Sequence, residues 1–166
     1  VESARRFAES AHAGQKRKYT NEPYITHPIA VADLLRNHGF DEYVQAAAML
    51  HDVVEDCGVS LGEIRDLFGT KVALLVEEVT DVSRPEDGNR SIRRHKDLVH
   101  LSKASPHGQS IKLADLIHNT ESIVKYDPGF ARVYIKEKEA LLGVLTGGKP
   151  ELMSTARQQV SEALIS

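Results

Sequence analysis

The stretch Asp41-Glu-Tyr-Val-Gln-Ala-Ala-Ala-Met-Leu-His-Asp-Val-Val-Glu-Asp-Cys-Gly58 decides the fold class of this chain. Asp41 is a good helix N-cap and Gly58 a good helix stop, so a helix is predicted from Glu42 to about Asp56. Residues four apart share a helix face, which aligns His51 with Glu55 and Asp52 with Asp56. The adjacent pair His51 and Asp52 can lean toward one point near the helix end.

Working outward, nearly every segment reads as helix. Glu2 to Ala13 is helical and stops near Gly14. Gln15 to Thr26 is polar and turn-like. Pro28 suits a first helical turn and places His27 at the entrance of a helix that runs to Gly39. Ser60-Leu61-Gly62-Glu63 is a capping box opening a short helix to Phe68. A helix follows Thr70 to Val79, then a charged loop from Thr80 to Asn89. Further helices are predicted at Ser91 to Lys103, Gly108 to Lys125, Phe130 to Leu145 and Glu151 to Leu164, separated by Ser105-Pro106, Asp127-Pro128-Gly129 and Gly147-Gly148. No segment shows strand alternation, an internal repeat or low complexity. The predicted class is all-α, one domain over residues 1–166.

Composition excludes several classes. With 166 residues, 41% hydrophobic and 27% charged, the chain is an ordinary globular one. A net charge of -3 argues against broad nucleic-acid binding. No apolar run reaches membrane-span length, and no signal-peptide pattern opens the chain. Starting at Val1 rather than Met, it is expected to lack a short native N-terminus. The single cysteine, Cys57, excludes an internal disulfide framework and fits a reducing, cytoplasmic setting.

His27, His51, Asp52 and Asp115 place two imidazoles and two carboxylates on different helices that can converge on one divalent ion. Such donors suit manganese, iron, cobalt or zinc, and no thiolate set points to structural zinc. Asp115, His118, Asn119 and Ser122 fall at i, i+3, i+4 and i+7, one polar stripe opposite Leu113, Ile117 and Val124. That stripe needs either solvent or a site. A metal would acidify water and polarise a phosphoryl oxygen, leaving Glu55 and Asp56 to orient that water and carry protons.

The string His51-Asp-Val-Val-Glu-Asp56, preceded by Glu22-Pro-Tyr-Ile-Thr-His27-Pro28 and followed by Lys112-Leu-Ala-Asp115 with Asn119, resembles the HD-superfamily hydrolases of the RelA/SpoT type. The likeness runs in order over roughly residues 3 to 126, with Glu77-Glu78-Val79-Thr80 in its expected place. It implies an all-α HD-domain bundle and a Mn2+-dependent 3′-pyrophosphohydrolase that converts the alarmone ppGpp to GDP and pyrophosphate. It implies His27, His51, Asp52 and Asp115 as ligands, with Glu55 and Asp56 assisting the attacking water. By position it assigns the nucleotide to Lys18, Thr20 and Asn119, with Ser122 nearby and Tyr134 against the nucleoside. Lys16 and Arg17 could add charge. The long members also carry a synthetase domain, for which this chain has no room, so it resembles a small stand-alone hydrolase.

There are departures from the family pattern. Leu116 stands where Arg or Lys commonly follows the Asp ligand, Glu121 where a basic residue is common, and Cys57 where Thr is usual. Lys18 replaces an Arg that stacks on the base, and lysine stacks poorly. An adenine alarmone, the 2′-phosphate of NADPH, or a nucleotide-sensing role without turnover therefore stay open. Arg90, Arg93, Arg94 and Lys96, with His95, read as a solvated basic face rather than a contact to pyrophosphate. His12, His38, His100 and His107 lack a partner pattern and read as surface or helix-end residues. Gly147-Gly148-Lys149 lacks the upstream glycine and strand of a phosphate loop.

Overall fold

In the computed structural model, which describes residues 1–165, the helix expected from Glu42 to Asp56 is broken. One helix runs Glu42–Met49 and a second, short one Val53–Cys57, with Leu50, His51 and Asp52 in the turn between them. Three-residue bonds replace the α pattern here: the His51 N–H donates to the Ala48 carbonyl and the Val53 N–H to Leu50. The His51 imidazole takes the same Ala48 carbonyl through Nδ1. A side chain competing for a main-chain acceptor is what the continuous-helix expectation missed. Gly58 closes the second helix at φ 69°, a left-handed conformation that glycine adopts without a Cβ penalty.

The chain divides into two compact units. In the first, residues 1–80, the helices are α1 (Glu2–Ala11), α2 (Thr26–Asn37), α3 (Glu42–Met49), α4 (Val53–Cys57), α5 (Leu61–Phe68) and α6 (Thr70–Val79). Helix α3 is the hub: Val44 to Met49 are all buried, and α1, α2 and α6 pack on it. Its Ala46-Ala47-Ala48 run lets neighbours approach closely. The Ser60 hydroxyl accepts from the Glu63 N–H at 3.1 Å, the cap expected of that motif. Between α1 and α2 the chain turns back on itself. Lys16 bridges Pro23, the Arg17 N–H donates to Glu22 and the Tyr24 N–H to Gln15. Asn21 makes the reversal at φ 61°.

The second unit, residues 81–165, holds α7 (Arg90–Ser102), α8 (Pro106–Tyr126), α9 (Pro128–Val144) and α10 (Pro150–Ile165). The Asn89 and Ser105 side chains cap α7 and α8, and Asp127 caps α9. The Ser105-Pro106 break is thus also a helix start, two residues before Gly108. The loop before α7 is pinned by Asp97, which accepts from the N–H groups of Val82 and Ser83, each at 2.9 Å, and from the Ser83 hydroxyl. The basic cluster is not simply solvated. Arg90 donates two bonds of 3.0 Å to Glu137, Arg94 pairs with Glu137 at 3.1 Å, and Lys96 pairs with Asp87. A carboxylate on α9 that no local pattern reports holds α7 in place.

Lys138 lies on the inward face of α9 and is 0% exposed. Its ammonium donates to the Thr120 hydroxyl on α8 and to the Gln159 amide oxygen on α10, at 2.8 and 2.7 Å. Burial pushes its pKa down to about 8, with Glu121 opposing. Between that value and the ordinary lysine range the unfolded chain binds the extra proton, so stability rises with pH through this window. We expect the protein to gain up to about 3 kcal/mol relative to Lys138→Met between pH 7 and 10.5, measured by urea unfolding. Among the described residues no helix is long and apolar enough to cross a membrane.

Candidate metal centre

The break between α3 and α4 puts His51 and Asp52 at a helix end, and His27 enters from the first turn of α2. His27 and His51 are 1% and 5% exposed. Their Nε2 atoms lie 3.9 and 3.0 Å from Oδ2 of Asp52. One donor atom from each of the three residues falls within 4.8 Å of the others. The two imidazole rings meet edge to face at 5.4 Å.

The donor set fits a divalent ion. Nδ1 of His51 faces the Ala48 carbonyl and must carry a proton to donate to it. In the neutral ring Nε2 is then a lone pair aimed at a carboxylate oxygen, which is repulsive unless a cation lies between them. A ring nitrogen bonded to a main-chain carbonyl behind the ligating one is the usual arrangement around metal-bound histidine.

Tyr24 completes this side. Its hydroxyl donates to Oδ2 of Asp52 at 2.6 Å, and its ring lies 5.9 Å from that of His27. No spacing signal marks Tyr24, since it sits in the turn and not on a helix face.

Glu55 and Asp56 stand on α4, exposed. Loss of solvation at its carboxyl and then the nearby Asp52 charge push Asp56 above the usual carboxylate range, while a bond from Gln15 and the His12 and His51 rings act against this. Lys18 and Thr20 lie on the exposed turn. The Lys18 ammonium is 5.4 Å from the Tyr19 ring centre, and the Thr20 hydroxyl accepts from the Glu22 N–H. His12, expected at a surface or helix end, does end α1 but is buried at 3% exposure. Its rim position was legible, while the ring's inward direction was not.

In the second unit Asp115 is buried at 7% exposure on α8. Lys112 donates to its Oδ2 at 3.1 Å and Asn119 to its Oδ1 at 3.2 Å, so both oxygens are held. Burial alone would lower the Lys112 pKa, but Asp115 and then Asp81 outweigh it and hold the ammonium charged. The stripe expected from Asp115 through Ser122 thus begins one turn earlier, at Lys112. His118, Asn119 and Ser122 are half-buried along it, and Leu116 is buried. The Tyr134 hydroxyl is buried without a well-formed hydrogen bond, although Thr120 lies near enough to favour its ionised form slightly. Burial first, and then Asp115, push that phenol up to about 12.

Comparison with known proteins agrees with this chemistry. The HD domain family model matches residues 4–133. A mouse guanosine-3′,5′-bis(diphosphate) 3′-pyrophosphohydrolase, MESH1, is 34% identical over 95% of this chain and 87% of its own length. A probable enzyme of the same description from Synechocystis is 38% identical over 84% of this chain, which spans only 19% of that protein. A GTP pyrophosphokinase from Streptomyces coelicolor is 40% identical over 74% of this chain, again a small part, 14%, of the relative. A solved structure described as a metazoan orthologue of SpoT that hydrolyses ppGpp matches with a TM-score of 0.87 and 29% identity, covering 97% of this chain and 93% of that one. With the family's model matched over residues 4–133, most of the sequence, the chain belongs to the HD domain family.

Proposed function

We propose that this chain is a Mn2+-dependent 3′-pyrophosphohydrolase of ppGpp, yielding GDP and pyrophosphate, and that residues 1–166 act as one hydrolase domain. The observation that carries this is the pair of buried imidazoles facing Asp52, with His51 fixed in the tautomer that a metal requires. The likeness to the mouse hydrolase over nearly the full length of both chains supports the choice of substrate.

His27, His51 and Asp52 would hold the ion, with Asp115 as the fourth ligand. The support for Asp115 is a buried carboxylate kept ionised and oriented by Lys112 and Asn119. Bound there, a divalent ion supplies an acidified water and neutralises charge on the scissile phosphate. The protein's part is protons and placement. Glu55 and Asp56 orient the water and take its proton, and their exposure lets that proton pass on to solvent. A carboxyl raised toward neutral pH, as in Asp56, is better matched to a base's task than an ordinary one. Lys18 and Thr20 bind the nucleotide from the turn, and Asn119, Ser122 and Tyr134 from the second unit. A small nucleotide as partner and a cytoplasmic location belong to the same reading.

A panel of ppGpp, its adenine counterpart and NADPH tests the substrate. Pyrophosphate release from ppGpp at the highest kcat/KM is expected. Phosphate release from NADPH as the dominant activity would overturn the substrate and leave the metal chemistry standing.

A further inference from the structure

Behind Asp56 lies a chain of side chains that the ligand set does not use. The Gln15 amide nitrogen donates to Oδ2 of Asp56 at 3.3 Å, and the Gln15 amide oxygen lies 2.8 Å from Nδ1 of His12. Nδ1 of His12 also lies 3.3 Å from the Cys57 sulfur. Nε2 of His12 is buried with no hydrogen-bond partner, and the ring lies 4.7 Å from that of Tyr24, tilted by 43°.

Chemistry fixes the direction of every bond in this chain. An ionised Asp56 accepts only, so the Gln15 group that meets it must be the NH2. The amide oxygen then faces His12, and an oxygen needs a donor there. Nδ1 must carry the proton, and in the neutral ring the remaining lone pair falls on Nε2. That is the atom with no partner, which is less costly for an orphaned acceptor than for an orphaned N–H. The Cys57 thiol can only be a second, weaker neighbour of that proton. Were Nδ1 bare, the Gln15 amide would turn over and set its oxygen against the Asp56 carboxylate.

The fold makes the chain rigid. Tyr24 donates its main-chain N–H to the Gln15 carbonyl at 2.9 Å, and the Gln15 N–H donates to the His12 carbonyl at 2.9 Å. One turn thus carries two side chains in register, Tyr24 onto the ligand Asp52 and Gln15 onto Asp56.

We infer that Gln15 is a positioning residue for Asp56, and that His12, held as its Nδ1–H tautomer, sets the orientation of the Gln15 amide. The inference rests on the proposed proton role of Asp56. Gln15 and His12 lie outside the proposed metal ligands and nucleotide contacts, and they act by keeping one carboxylate oxygen occupied so that the other meets the water.

Two measurements test it. Long-range 15N–1H spectra of the imidazoles should give the Nδ1–H tautomer for His12, the less common one for a neutral histidine, and Gln15→Met should move it toward Nε2–H. This readout does not depend on turnover, and an Nε2–H ring in the parent protein overturns the inference whatever the activity. In steady-state assays Gln15→Met and His12→Phe should each lower kcat about 10- to 100-fold, with KM and Mn2+ affinity within about twofold. The double variant should lose no more than either single one, and His12→Asn, which restores an N–H near the Nδ1 position, should recover most of the rate. Unchanged kcat in Gln15→Met, or additive losses that track a fall in Tm, overturns the positioning role. Failure of the parent protein to turn over any nucleotide would instead sink the hydrolase reading itself.

Discussion

Asp52→Ala is expected to abolish metal binding and turnover together. Calorimetric titration with Mn2+ should give no measurable uptake, and kcat should fall at least about 1000-fold, near 4 kcal/mol of transition-state stabilisation. Asp52 has this weight because two buried imidazole nitrogens and a tyrosine hydroxyl converge on its carboxylate. Without it, two neutral rings and at most the one carboxylate proposed at Asp115 remain, and half of the anionic charge that would offset the ion is gone. Asp52→Asn separates charge from shape. The amide fills the same space, yet one end now presents an NH2 to the metal, so affinity should fall nearly as far. The fold should survive both changes, because Asp52 is in a turn and makes no helix cap with its side chain. Mn2+ uptake by Asp52→Ala equal to that of the parent would place the ion elsewhere.

Glu55→Gln and Asp56→Asn are expected to lose rate and keep metal. Both residues lie on α4 one turn beyond the ligand pair, and neither belongs to the His-Asp set. Removing a general base costs about 100- to 10,000-fold in kcat. Mn2+ affinity should stay within about threefold, since the proposed ligands are untouched. The pair should also be non-additive, because two carboxylates that serve one water fail as a unit. The check is kcat with ppGpp set beside a Mn2+ titration for each variant and for the double. Loss of metal in step with loss of rate would make Glu55 or Asp56 a ligand instead.

The helical class was legible because caps and stops recur along the chain: Asp41 and Ser60 each stand at a helix start and Gly58 at a helix end, while the caps at Asn89 and Ser105 read in the sequence only as loop and break. The juxtaposition of His51 and Asp52 was legible too, as the two adjacent residues fall at the end of a helix run. The break between α3 and α4, which holds both residues, was not legible. Local spacing carries α3 straight into α4, and only the His51 ring bonding the Ala48 carbonyl explains the turn. Residues that act through other side chains were hidden in the same way. Tyr24, Gln15 and His12 belong to a turn whose register comes from main-chain bonds, and a helical wheel says nothing about them. Lys112 lay one turn ahead of the polar stripe on α8, and its role shows only through its bond to Asp115. Glu137 pairs with Arg90 and Arg94, which reach it from forty or more positions away.

Incubating ppGpp with the purified, chelator-stripped protein, with and without added Mn2+, and separating the products by ion-exchange chromatography is the direct measurement. GDP and pyrophosphate in equal amounts, formed only with the metal and lost in Asp52→Ala, is the expected result. Intact ppGpp in the presence of protein that has bound Mn2+ would contradict it, since a filled ligand set beside Glu55 and Asp56 would then fail to cleave the nucleotide assigned to it.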